Sequence, residues 1–250
     1  MIENPLFWAS AIIAVIITGI SKGGFGGLAL FAVPLMALTI SPIQAAGIML
    51  PILIVMDWIS LWAYRKTWDK SLLLMTLPGA IVGIALGGLL AGYVNEQVVR
   101  ISVGMIAILF PVYAVSSSLL KWSAGKGVVG NKPLGMIAGI TAGFTSFIAH
   151  AGGPPFQAYA IPHQLDKRVY AGTSVLFFTI VNAVKVIPYA ALGQFDATNL
   201  KTSAMLIPLA PIGVLIGVWL LKRIDQAVFY RIMYGLIFIT GLKLLYDGLF

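Results

Sequence analysis

The sequence predicts an all-α, polytopic transmembrane bundle built from two inverted repeats, each of one broken or re-entrant hairpin plus three spans. Composition is the first reason. Apolar residues make up 60 % of the 250, charged residues only 10 %, and mean hydropathy is +0.98, which places the chain outside the range of soluble globular domains. The second is that apolar runs long enough to cross about 30 Å of hydrocarbon follow one another almost end to end. The third is a pair of polar, glycine-rich breaks inside such runs, Ser21-Lys22-Gly23-Gly24-Phe25-Gly26-Gly27 and His150-Ala151-Gly152-Gly153-Pro154-Pro155-Phe156. Glycine is a poor helix former and proline removes a backbone donor, so neither run continues as one simple helix.

In chain order, Leu6 to Ile20 and Phe25 to Leu38 are two arms of about 14 residues, short for a crossing and suited to a hairpin. Spans follow at Pro42 to Tyr64, Leu72 to Tyr93 and Val98 to Leu120. After the linker Lys121 to Lys132 the plan recurs. Leu134 to Ala149 and Phe156 to Ile161 flank the second break, and further runs lie at Val169 to Leu192, Thr202 to Leu221 and Val228 to Tyr246, with a linker around Gln194 to Asn199. The longest polar intervals, Arg65 to Ser71 and Lys121 to Lys132, are linkers, so the whole chain 1–250 reads as one transporter domain. Nothing near the start resembles a signal-peptide cleavage site, and the first run is expected to belong to the mature protein. There is no cysteine, which excludes disulfide and thiolate chemistry.

Matching positions point to a duplication, 1–120 against 133–250. Gly23-Gly24 match Gly152-Gly153, Asp57 matches Asn182, Gly83 and Gly87 match Gly213 and Gly217, and Arg100 and Gly104 match Arg231 and Gly235. Orientation follows from the basic residues. If each broken element crosses once, Lys and Arg divide seven against six between the two sides. If each returns to its own side, linkers 65–70, 121–132, 163–168 and 222–231 share a side and hold eleven, against Arg100 and Lys201. The positive-inside rule selects the second arrangement, with the linkers cytoplasmic and both termini extracytoplasmic. It also accounts for the net charge of +8 without nucleic acid. Trp8, Trp68, Tyr93, Trp122, Trp219 and Tyr246 fall at run ends as interfacial anchors against membrane lipid, and the glycine pairs permit close helix approach.

Broken helices within a bilayer are tolerated where they line a cavity, and helix N-termini beginning at Phe25 and Phe156 would attract anions. The alternative is two kinked packing elements. Lys22 in the first break needs a compensating role, either neutralising an anion or snorkelling to an interface. Lys185 is also deep, one turn after Asn182, and the matching helix carries Asp57 and Ser60; a Lys185–Asp57 pair is one expectation. His150 is the candidate for proton linkage, or a structural histidine on a freed carbonyl. The candidate substrate-binding residues are Ser21, Lys22, Gly23, Gly24, Gly26, Gly152, Gly153, Pro154 and Gln157, with Ser174 weaker. His150, Asp57, Asn182 and Lys185 form the candidate polar pathway. No phosphate loop, dinucleotide fingerprint or metal-ligand cluster is present in the sequence, so no cofactor and no enzyme activity are expected.

Gly19-Ile20-Ser21-Lys22-Gly23-Gly24-Phe25-Gly26-Gly27, and Gly143-Phe144 followed by His150-Ala151-Gly152-Gly153-Pro154-Pro155, resemble the TauE/SafE sulfite exporter family, also called the 4-toluene sulfonate uptake permease family. The resemblance extends over nearly all of the chain. It implies a bacterial inner-membrane permease for sulfur-containing anions such as sulfite or organosulfonates, with the two breaks as the functional region. Ala151 stands where Lys22 stands in the first repeat, so two equivalent anion-binding lysines are not implied. The reading is a secondary transporter exporting a small sulfur-containing anion by alternating access, with protons a candidate coupling ion and a homo-oligomer a candidate assembly. A passive anion channel, or an uptake permease for a small carboxylate or sulfonate, is the alternative.

Overall fold

The computed structural model describes residues 4–90, 92–119, 127–191 and 195–249, and every regular element among them is helical. Lys121, Trp122 and Lys126 of the central linker, the run ends Leu120 and Leu192, and Gln194 lie outside the described residues. The polar linkers supply the helix caps, because a helix leaves its first N–H groups without intrahelical partners. Asn4 accepts from Leu6 N–H ahead of α1 (Pro5–Lys22), and Ser41 caps α3 (Pro42–Tyr64). Asp69 caps α4 (Lys70–Leu90), Asn95 caps α5 (Glu96–Leu119) and Asn131 caps α6 (Lys132–Ala149). Asp166 starts α8 (Lys167–Ala191), and Asp196 starts α9 (Ala197–Leu206). A 3-10 turn joins α9 to α10 (Ala210–Arg223), and α11 (Gln226–Leu249) closes the chain. Among the described residues seven helical stretches are long and apolar enough to cross a membrane: α1, most of α3, α4, most of α5, α8, α9 with α10, and α11.

The broken elements differ from the expected pairs of equal arms. α1 takes in Pro5, Ser21 and Lys22 and reaches 18 residues. The second arm is no single helix, but a 3-10 turn, Leu28–Phe31, followed by the five-residue α2 (Ala32–Met36). Gly24 and Gly27 have φ of 137° and 109°, outside helical geometry, so no long helix begins at Phe25. In the second break α7 (Gly153–Ala160) starts three residues earlier than Phe156.

The chain divides into two compact units. Met1–Trp68 with Ala171–Ile224 form the first, and Asp69–Tyr170 with Asp225–Phe250 the second. In the first unit α1 lies against α10, backbone to backbone. A Cβ on Gly23 would stand 2.6 Å from the Gly217 Cα, and one on Gly19 would stand 2.6 Å from the Gly213 Cα. The C-terminal ends of α1, α3 and α10 come together: Tyr64 Oη donates to the Gly23 carbonyl at 2.5 Å, and Tyr64 with Leu221 fills the space beside Gly24. The Thr67 carbonyl presses against Gly172 near the start of α8. Residues 65–68 and 222–224 therefore leave this unit at one end. Because α3 runs about 34 Å from Pro42 to that end, the segment after Gly24 must double back along α1 to reach its start.

The second unit pairs α4 with α6 by the same device. A Cβ on Gly83 would stand 2.1 Å from the Ile140 carbonyl, and one on Gly143 would stand 2.1 Å from the Ala80 carbonyl. α5 lies against α11, where Arg100 bonds Glu96 at 2.5 Å and Asp247 at 3.5 Å. α7 returns along α6. Gly152 abuts Ala142 and Ser146, and Tyr159 Oη donates to the carbonyl of Asn131, the residue that caps the start of α6. His163 receives the Gly130 N–H on Nε2 at 3.2 Å, which leaves the proton on Nδ1 for the Tyr159 carbonyl at 2.9 Å. Leu165 accepts from Gln226 and Tyr230. Residues 69–70, 127–132, 163–166 and 226–230 thus gather at one end of this unit.

Replacing Gly83 by Ala is expected to lower stability by about 3 kcal/mol, the upper end of overpacking costs. Gly235→Ala, where a Cβ meets nothing within 4 Å, is the control in a thermal melt. Burial holds the His163 imidazole below its ordinary value, against the opposing pull of the Tyr159 carbonyl and the Asp69 charge. The neutral ring is therefore favoured in the folded chain, and its contribution is full above about pH 6.5 and declines as pH falls. Between about pH 7.5 and pH 5.5 the wild-type melting temperature should drop by more than that of His163→Gln.

Candidate functional site

Lys22 ends α1 inside the first break, with its side chain about nine-tenths buried. An ammonium at bilayer depth costs about 2.5–3.5 kcal/mol on insertion scales, so its surroundings must compensate. They do so with a carboxylate. Lys22 Nζ lies 2.5 Å from Asp57 Oδ1, and Asn182 Nδ2 donates to the other oxygen, Oδ2, at 2.7 Å. Asp57, Asn182 and Lys185 are all buried, at 2 %, 5 % and 0 % exposure. Lys185 stands one turn beyond Asn182 on α8, with Nζ 5.7 Å from the Tyr189 ring centroid. Asp57 thus forms an ion pair with Lys22, with Asn182 as third member. Asp57 and Asn182, 125 positions apart, bond directly to each other.

Residues absent from the sequence reading complete the cluster. Phe178, four positions before Asn182 on α8, presents its ring to Lys22 Nζ at 5.7 Å. A cation over an aromatic face is stabilised by the ring quadrupole. Tyr64 ties down the Gly23 carbonyl freed where α1 stops. Neither had a sequence signal beyond being aromatic in an apolar run. Ser60, one turn after Asp57 on α3, is fully buried and its hydroxyl has no hydrogen-bond partner. Ser21 is buried in the last turn of α1, where its carbonyl accepts from Gly24 N–H, and Gly26 is half-buried in the loop that follows.

The second break is built differently. His150 ends α6 in the left-handed region, φ 51° and ψ 24°, with its own N–H bonded to the Thr145 carbonyl. Thr145 Oγ1 lies 3.1 Å from the Ala151 carbonyl and 2.7 Å from that of Thr141. α7 then begins at Gly153, but Pro154 and Pro155 carry no N–H, which removes two donors from its first turn. Gln157 turns back toward that N-terminus. Its Nε2 is 4.0 Å from where a Cβ on Gly153 would stand, and its Oε1 is buried without a hydrogen-bond partner. Among the described residues no group of three His, Asp or Glu side chains is placed to hold a metal ion.

The family model described as "Sulfite exporter TauE/SafE" matches residues 11–244, nearly the whole chain. No curated protein and no solved structure matches it. The matched range takes in both breaks, the Lys22–Asp57–Asn182 cluster, five of the seven membrane-length stretches whole and most of the first and last, and the chain belongs to the TauE/SafE sulfite exporter family, membrane transporters for sulfur-containing anions.

Proposed function

We propose that the protein is a secondary carrier that exports a small sulfur-containing anion such as sulfite or an organosulfonate, and that Lys22 supplies the positive charge the anion meets. The observation that carries this is an ammonium buried at the broken end of α1, matched there by a single carboxylate. Ser21, Gly23, Gly24 and Gly26 shape the break around it. Gly152, Gly153, Pro154 and Gln157 give the second break its own polar surface, in which the unpartnered Gln157 Oε1 suits a ligand bearing a donor, such as a protonated oxyanion. His150 is the group proposed for proton coupling.

The inverted-repeat reading draws support from each unit separately. In the first, the turn of the α1–α2 hairpin points to the end where residues 65–68 and 222–224 emerge; in the second, the open ends of the α6–α7 hairpin lie among the linkers. Arg100, one of the two basic residues against the charge rule, is bonded to Glu96 and Asp247. We place the linkers in the cytoplasm of a bacterial inner membrane and both termini outside.

In proteoliposomes loaded with radiolabelled sulfite, Lys22→Gln should lower kcat/KM at least tenfold, a loss of roughly 1.4 kcal/mol or more of transition-state stabilisation. Undiminished flux would remove Lys22 from the mechanism. Saturation and counterflow are expected of the wild type, and their absence would favour a passive channel. Reporter tags at both termini should give the opposite sidedness to a tag at Gly127, and a terminus on the Gly127 side would overturn the inverted arrangement.

A further inference from the structure

A hydroxyl inside a membrane helix ordinarily donates to the carbonyl four residues back, because hydrocarbon offers it nothing else. Thr18, Thr76, Thr141, Thr179, Thr202 and Ser203 all do so in this chain, at 2.7–2.9 Å. Ser60 does not. Its side chain is fully buried on α3, at 0 % exposure, and its oxygen has no hydrogen-bond partner among the described residues. A bond left unmade in this way destabilises the empty protein. The neighbours of Ser60 show where it lies. Asp57, three positions before it, bonds Lys22 Nζ at 2.5 Å, and Tyr64, four positions after it, bonds the Gly23 carbonyl at 2.5 Å. Residues three and four apart share a helix face. Ser60 therefore stands between them, on the face of α3 that meets the end of α1 where the first break begins.

We propose that Ser60 is a solute-binding residue: its hydroxyl donates to one oxygen of the transported anion while Lys22 holds another. This rests on Lys22 being the group that the anion meets. Asp57 already matches the Lys22 charge through one of the three ammonium donors, and the Phe178 ring faces the same ammonium at 5.7 Å. An ammonium so neutralised attracts a solute weakly. A neutral donor beside it adds affinity and fixes orientation without burying a further charge, which would be costly at this depth. A sulfite or sulfonate group spreads its acceptors over several oxygens and so meets both donors at once. The bond that Ser60 lacks in the empty carrier is the one the solute makes.

The test uses the purified full-length chain with methanesulfonate as probe, read by calorimetry and thermal melting. Removing a buried hydroxyl that has no partner relieves its desolvation cost, so Ser60→Ala should melt no lower than the wild type. Its dissociation constant for methanesulfonate should nevertheless rise roughly tenfold or more, a step of about 1.4 kcal/mol. Unchanged affinity would overturn the proposal. So would weaker binding accompanied by a lower melting temperature, since the hydroxyl would then be serving the fold. Lys22→Gln separates the two readings: normal binding there removes Lys22 from the site, whereas binding lost there but kept in Ser60→Ala removes Ser60 alone. A second variant reports on the contact directly. The chain has no cysteine, so Ser60→Cys introduces a single thiol, a weak donor whose infrared S–H stretch belongs to that position alone. Saturating methanesulfonate should move that band to lower frequency, and a band that stays in place would overturn the proposal.

Discussion

A charge placed inside hydrocarbon has to find a counter-charge within its own chain, and the first unit is arranged around that requirement. Lys22 arrives at the end of α1, Asp57 from α3 and Asn182 from α8, so three helices are tied by two short polar bonds. Leaving any one of the groups alone costs several kcal/mol, far more than a surface ion pair contributes. The interruption of α1 raises the same problem for the backbone, and the solution is similar. The Gly23 carbonyl, which has no intrahelical partner, accepts from Tyr64 at the end of α3. Both demands are met by α3, which accounts for its carrying an aspartate where the bilayer disfavours one.

The second break meets the backbone requirement without a charge. Its freed groups are satisfied locally, through the left-handed turn at His150 and Thr145 at the end of α6. Two prolines leave little of the donor array that a helix N-terminus ordinarily offers an anion. What remains is neutral and directional: glycine backbone and the Gln157 amide. The two breaks thus differ in chemistry, an ammonium in the first and an amide in the second.

Much of this was legible in the residue order, since spans, breaks and caps are local properties. A run of apolar residues of membrane length can hardly be anything but a membrane helix, and asparagine, aspartate or serine ahead of such a run is the natural cap. Lys22, Asp57, Asn182 and Lys185 stood out because a polar residue deep in an apolar run is expensive and needs a reason. The apolar content of the second arm after Gly24 suggests a helix, whereas the positive φ angles at Gly24 and Gly27 break the path into short turns. Tyr64 and Phe178 were invisible as site residues, since aromatics at such places ordinarily serve depth or packing.

The sequence by itself determined the class of protein, the two interruptions and the set of polar residues that a bilayer must accommodate, because hydropathy and helix-breaking act within a few neighbouring positions. Only the tertiary structure decided the partners. α1 of the first half packs on α10 of the second, and α6 of the second packs on α4 of the first, so each compact unit draws on both halves of the chain. Asp57 joins Lys22, 35 positions away, and Asn182, 125 positions away. Such choices depend on which glycine faces let backbones approach within van der Waals contact, a property of two surfaces meeting in space that neither stretch of sequence carries alone.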